Sequence, residues 1–117
     1  MPEILVIDDD ELVCEMIASS LQMEGFETVC ALDGKRGVEN ARTHSQDLIV
    51  CDIVMPNLDG YGTLEATRDD PATAMMPFIF LTGRAAKSDM RQRMTLGADG
   101  LLMKPVMMGE LVVAIRS

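Results

Sequence analysis

The sequence predicts an α/β fold, a parallel sheet of five strands with helices on both faces. Three observations carry it. Apolar residues come in short continuous runs, Ile4-Leu5-Val6-Ile7, Leu48-Ile49-Val50-Cys51, Phe78-Ile79-Phe80-Leu81 and Leu101-Leu102-Met103, as in strands buried on both faces. Helical patterns separate the runs, and such alternation implies βαβ units with right-handed crossovers. Each run also stops on polar chemistry: Asp8-Asp9-Asp10, Asp52, Thr82 and Lys104. In an open parallel sheet all strand C-termini share one edge, and ligands bind beyond it.

Taken in order, the first strand is Ile4 to Ile7. Asp10 is placed to cap a helix whose stripe reads Leu12, Val13, Met16, Ile17, Ser20 and Leu21, closed by Gly25. Glu27 to Ala31 is a short second strand. Asp33-Gly34 opens a weaker helix to about Thr43, with an apolar face of little more than Val38 and Ala41, inferred mainly from the alternation. The third strand reaches Asp52, and a loop through Met55-Pro56-Asn57-Leu58-Asp59-Gly60 leads to a helix from about Tyr61 to Asp69, with Asp59 as its cap. After Pro77 and the fourth strand, a helix from about Ala86 to Leu96 carries Met90 and Met94 and is closed by Gly97. The fifth strand ends at Lys104-Pro105, and Glu110 to Ile115 begins a last helix.

The 117 residues suffice for one core without disulfides or a structural metal. They read as one domain over residues 1–117, its last helix cut short as in the N-terminal part of a longer protein. Hydrophobic residues at 48% and charged residues at 25% indicate a folded domain rather than a disordered one. No apolar stretch is long enough to span a membrane, and Glu3 stands where a signal peptide carries positive charge, so the chain is expected in the cytoplasm. A formal net charge of −9 disfavours direct nucleic acid binding, since phosphates are repelled. Cys14, Cys30 and Cys51 have no metal-ligand spacing and read as buried thiols. His44, among polar residues, suggests no metal or catalytic role. Eleven methionines and no tryptophan imply a core of aliphatic and thioether groups; Met90, Met94 and Met103 read as core, while Met75-Met76 and Met107-Met108 fit either loop packing or an exposed patch.

If the apolar runs are parallel strands, Asp8, Asp9 and Asp52 gather like charges that repel one another and destabilise the empty fold. A hard cation relieves this, and magnesium takes one or two carboxylates while sharing its other positions with waters and phosphate oxygens. Thr82 and Lys104 supply a hydroxyl and a positive charge, which suit a phosphoryl group. An aspartate carboxylate is also a competent nucleophile for phosphoryl transfer, a reaction promoted mostly by positioning and charge neutralisation. Singly, these residues are explained as helix caps, turn formers or surface charges; jointly, at successive strand ends, they mark a site.

The set Asp8-Asp9, Asp52, Met55-Pro56 with Asp59-Gly60, Thr82 and Lys104-Pro105 resembles the receiver domain of two-component response regulators, over essentially the whole chain. The resemblance implies a flavodoxin-like, doubly wound five-stranded sheet with strand order 2-1-3-4-5. It implies that Asp52 is the phosphoacceptor, Asp9 a direct magnesium ligand, Asp8 a ligand through water and Val54 a ligand through its backbone carbonyl, with Thr82 and Lys104 binding the phosphoryl group. The implied partners are a sensor histidine kinase or phosphotransfer protein, and an output domain or partner protein at the face near the fifth strand. Chemistry would be confined to self-catalysed phosphorylation and dephosphorylation of Asp52, so the chain is not expected to be an enzyme in the ordinary sense.

Departures from the family pattern qualify the transmission of a signal. Leu101 stands where an aromatic residue is frequent, Met107 where a capping side chain is common, and Val106 where phenylalanine is usual. Val54 and Arg84 occupy the positions that tune phosphoryl lifetime in the family; Val54 has no group to position an attacking water, and Arg84 could shield the phosphate. Two rival functions are an aspartyl-phosphate phosphatase of the haloacid dehalogenase type and a receiver-like interaction module that no longer uses phosphate. The phosphatase requires an acid two residues after the nucleophile, where this chain has Val54, and the interaction module leaves five competent side chains without a purpose. No G-x-x-x-x-G-K-[ST] or G-x-G-x-x-G stretch suggests a nucleotide site.

Overall fold

A computed structural model describes residues 2–44, 46–82, 97–103 and 108–116. Along the chain these form β1 (Glu3–Ile7), α1 (Glu11–Met23), β2 (Glu27–Ala31), α2 (Gly34–His44), β3 (Leu48–Asp52), α3 (Gly60–Asp69), β4 (Phe78–Thr82), β5 (Gly100–Met103) and α4 (Met108–Arg116). The strands make one sheet in the order β2-β1-β3-β4-β5, with every neighbouring pair parallel. This is the doubly wound, flavodoxin-like topology. The helix expected over 86–96 and residues Met90, Met94, Pro105, Val106 and Met107 lie outside the described residues.

Continuous apolar strands serve two cores because alternate side chains point to opposite faces. Leu5, Ile7, Ile49, Cys51, Phe78 and Phe80 join Ala41 of α2 and Leu64 of α3 on one side. Ile4, Val6, Leu48, Val50, Ile79 and Leu81 join Cys14, Ile17 and Leu21 of α1 and Leu111 of α4 on the other. All five residues of β3 are buried. The aromatic content is concentrated on the first side, where the rings of Phe78 and Phe80 meet edge to face with centroids 5.2 Å apart and Tyr61 meets Phe80 at 5.5 Å. Met76 is buried in that core whereas Met75 is 92% exposed, so the methionine pair divides between packing and surface.

Local chemistry sets the helix ends. The Asp10 carboxylate accepts from the amides of Leu12 and Val13 at 3.0 and 3.4 Å, satisfying first-turn donors that otherwise have no partner. At the other end of α1, Gly25 takes φ +94°. Its amide bonds the Gln22 carbonyl and the Phe26 amide bonds the Leu21 carbonyl, at 3.0 and 3.1 Å, a Schellman closure that favours glycine. Asp59 caps α3 through the Gly62 amide at 2.8 Å.

The buried stripe of α1 differs from the expected one. Cys14, Ile17, Ala18 and Leu21 face the sheet, while Leu12 and Met16 are 72% and 68% exposed. Both sets have helical spacing. The smaller side chains of Cys14 and Ala18 bring the helix close to β1, where the Cys14 thiol donates to the Val6 carbonyl at 3.4 Å. In α2 close approach also decides the packing: a Cβ at Gly37 would lie 2.8 Å from Cγ1 of Ile7, so the weak apolar face of this helix is compensated by backbone contact with the strand.

Arg68, near the end of α3, ties three segments together. Its guanidinium donates to the carbonyls of Ala74 and Met76 at 3.3 and 2.6 Å and to that of Gly97 at 2.7 Å, and pairs with Asp99 at 3.1 Å. The Asp99 carboxylate in turn accepts from the Phe78 amide at 2.8 Å, anchoring the start of β4. Nearby, the Ala72 amide and then Arg42 hold the Asp70 carboxyl below its ordinary value of 3.8.

Candidate functional site

The sheet brings the first and third polar strand ends side by side. Ile7 and Cys51 are register partners, so Asp8 and Asp52 follow together at the C-terminal edge. The Asp8 amide bonds the Ala31 carbonyl at 3.1 Å, and the Ile53 amide bonds the Leu81 carbonyl at 3.0 Å, holding the chain on either side of the acids. One carboxylate oxygen from each of Asp8, Asp9 and Asp52 lies within 4.8 Å of the others. Asp8 is fully buried, Asp52 is 6% exposed and Asp9 faces solvent. The Asp8 carboxylate also accepts from the Asp10 amide at 2.9 Å, which links the acid turn to the cap of α1.

The far wall of the site is the loop from Ile53 to Asp59. Ile53 and Met55 are buried and Val54 is 62% exposed, so the loop inserts two apolar anchors and leaves Val54 at the mouth. Asn57 takes φ +67°, a left-handed conformation that asparagine tolerates better than most residues. The Gly60 amide closes the loop onto the Ile53 carbonyl at 2.8 Å. A side chain at Gly60 would fall on the Asp52 carbonyl oxygen and within 2.7 Å of the Ile53 Cα. Behind Asp52 the Cys51 thiol donates to the Asp52 carbonyl at 3.2 Å; burial, followed by the neighbouring Asp52 charge, pushes this thiol well up.

Thr82 ends β4, one residue beyond Leu81, the register partner of Asp52. Its own partner is Met103, the last residue of β5. The backbone thus delivers Thr82 to the edge that carries the acids, whereas Lys104 and Arg84 lie outside the described residues. The expectation for the cysteines needs correction at one position: Cys14 and Cys51 are buried, but Cys30 is exposed, because β2 is the sheet's outer strand. Leu101 is half-buried against the same core as its register partner Phe80.

Comparison with known proteins decides the family. Residues 4–116 match the response regulator receiver domain. The chain belongs to this family. As a receiver domain of two-component systems it is 38% identical over 117 residues to the transcriptional regulatory protein CpxR of Escherichia coli K12, covering all of this chain and 49% of CpxR. The receiver chain thus spans about half the length of that relative. A response regulator receiver domain protein from Clostridium thermocellum superposes with a TM-score of 0.92 at 30% identity, over 99% of this chain and 92% of that one. The receiver domain of the sensor histidine kinase PA1611 from Pseudomonas aeruginosa PAO1, solved with magnesium coordinated in its active site cleft, superposes with a TM-score of 0.89 at 28% identity, over 98% and 94% of the two chains.

Sequence patterns missed two supports of this receiver site. Gly60 reads as turn chemistry beside Asp59, yet its function in the structure is close approach to the Asp52 backbone. Met55 looks like one more loop methionine but is buried under the acids' loop. The spacing from Asp52 to Asp59-Gly60 was the available signal, and it reports a tight loop without saying what the glycine touches.

Proposed function

We propose that this receiver domain takes a phosphoryl group onto Asp52 from the phosphohistidine of a sensor histidine kinase or phosphotransfer protein. The observation that supports this best is the meeting of Asp8, Asp9 and Asp52, with carboxylate oxygens within 4.8 Å of one another at the sheet's C-terminal edge. In the transfer a carboxylate oxygen of Asp52 attacks phosphorus, the P–O bond of an acyl phosphate forms, and the P–N bond of the phosphohistidine breaks with its electron pair returning to the imidazole. Low exposure of Asp52 limits competition from water, and the buried β3 backbone fixes the direction of attack.

The donor set fits a hard divalent cation, because three carboxylates converge on one point without a nitrogen or sulfur ligand among them. Asp9 and Asp52 would hold magnesium directly, Asp8 through water, and Val54 through its backbone carbonyl. Bound magnesium would supply charge neutralisation for the carboxylates and for the incoming phosphoryl oxygens. Thr82 and Lys104 are the proposed phosphoryl-binding groups, a hydroxyl donor and a cation. Once phosphorylated, the domain signals to an output domain or partner protein through the face near β5.

Incubation with a small phosphoryl donor, with and without magnesium, tests the reading by intact mass. One magnesium-dependent phosphoryl adduct, absent in Asp52→Asn, is expected. Continuous release of phosphate from many esters would identify a phosphatase instead, and no adduct from either a small donor or a kinase would leave an interaction module.

A further inference from the structure

Two of the three cysteines meet between α1 and the outer strand β2, beside the turn that carries Asp8. Val6 and Cys30 are register partners on β1 and β2, so their side chains share the face covered by α1. The Cys14 thiol donates to the Val6 carbonyl at 3.4 Å, and the Cys30 thiol donates to the Cys14 carbonyl at 3.3 Å. The Cys14 sulfur is therefore held against β1, and the Cys30 sulfur against the backbone of Cys14 itself. Cys30 is exposed and Cys14 is buried, an asymmetry that makes one thiol the entry point and the other its internal partner. Cys51 belongs to the opposite core, on the α2 and α3 side.

We propose that Cys14 and Cys30 are an oxidisable thiol pair, closing to an intramolecular disulfide when the domain meets a hydroperoxide. The Cys30 thiolate attacks the hydroperoxide; an S–O bond forms, the O–O bond breaks, and the alcohol or water leaves, giving a sulfenic acid. The Cys14 sulfur then displaces the hydroxyl group. An S–S bond forms, the S–O bond breaks, and the Cys14 proton departs with hydroxide as water. Two thiols lose two electrons in total, and the peroxide gains them. The cross-link joins the second turn's start in α1 to β2, and α1 begins directly after Asp8, Asp9 and Asp10, so oxidation restrains the helix that continues from the acid turn. The pair and its oxidation do not depend on Asp52 accepting phosphate.

The test uses the reduced 117-residue chain, treated with a small excess of hydrogen peroxide, quenched by alkylation and digested without reductant. The expected result is a monomer lighter by two hydrogens, a peptide pair joined through Cys14 and Cys30, and Cys51 still alkylatable after denaturation. Cys14→Ser should halt at a Cys30 sulfenic acid trapped by dimedone, and Cys30→Ser should leave Cys14 unoxidised at the same dose. The mapping in the unmodified chain is independent of whether either variant folds. Persistent sulfenic acid at Cys30 in the unmodified chain, dimers joined through Cys30, or a disulfide that includes Cys51 would each overturn the assignment.

Discussion

Gly60 lies so close to Asp52 that a Cβ on the glycine would fall on the aspartate's carbonyl oxygen. The first turn of α3 thereby presses on the backbone that presents the carboxylate. Gly60→Ala must displace either the helix or the end of β3, and overpacking of this kind typically costs about 1–3 kcal/mol. Chemical denaturation should show that loss, together with a slower phosphorylation of Asp52. A substitution neutral in both measurements would mean that the loop relaxes without moving the strand.

The Arg68 guanidinium joins the end of α3, the turn before β4 and the approach to β5. Hydrogen bonds to charged groups contribute about 1.5–3 kcal/mol each but are not additive when they share a donor. Arg68→Ala should therefore lower stability by about 2–3 kcal/mol, and Arg68→Lys should recover less than half, since an ammonium cannot reproduce the planar fork. Equal stability of the lysine variant and the parent chain would show that only the charge matters.

Removing one of three mutually repelling carboxylates should relieve the metal-free fold. Asp9→Ala is expected to raise the thermal midpoint in a chelator by a few degrees and to abolish the upward shift that magnesium gives the parent chain. Asp9 is the informative choice because it faces solvent and its replacement buries no new surface. A variant less stable than the parent in chelator would show that the three acids do not repel one another appreciably.

Val54 stands exposed at the mouth of the site with no group to orient water. Once Asp52 is phosphorylated, loss of the label should be slow, and Val54→Asn should accelerate it by about tenfold, the effect of one added hydrogen bond to the attacking water. The decay of the acyl phosphate after removal of the donor measures this. An unchanged or slower decay in the variant would assign the lifetime to other residues.

Much of this was readable from residue order. The apolar runs located four of the five strands because side chains packed on both faces of a sheet leave an uninterrupted signature, whereas β2, partly exposed at the edge, was legible only as a short segment between two helices. The polar ends of the runs located Asp8, Asp9 and Asp52 because parallel strands share one edge. The stripe of α1 was misread since Leu12 and Met16 have the same spacing as residues that face a core, and hydropathy does not register that the smaller Cys14 and Ala18 allow closer packing. Cys30 was misread because an outer strand carries the same residue types as an inner one. Arg68 and Gly60 were invisible for a different reason: their partners are distant in sequence or belong to the backbone, and neither contact leaves a periodic trace.

In the proposed transfer Asp52 itself carries the phosphoryl group. Borohydride reduction of the phosphorylated domain converts an aspartyl phosphate to homoserine, and peptide sequencing by mass spectrometry locates the change. Homoserine at position 52, formed only when donor and magnesium are both present, is the predicted result. Homoserine at position 8 or 9, or an adduct that survives reduction unchanged, would show that Asp52 is not the phosphoacceptor.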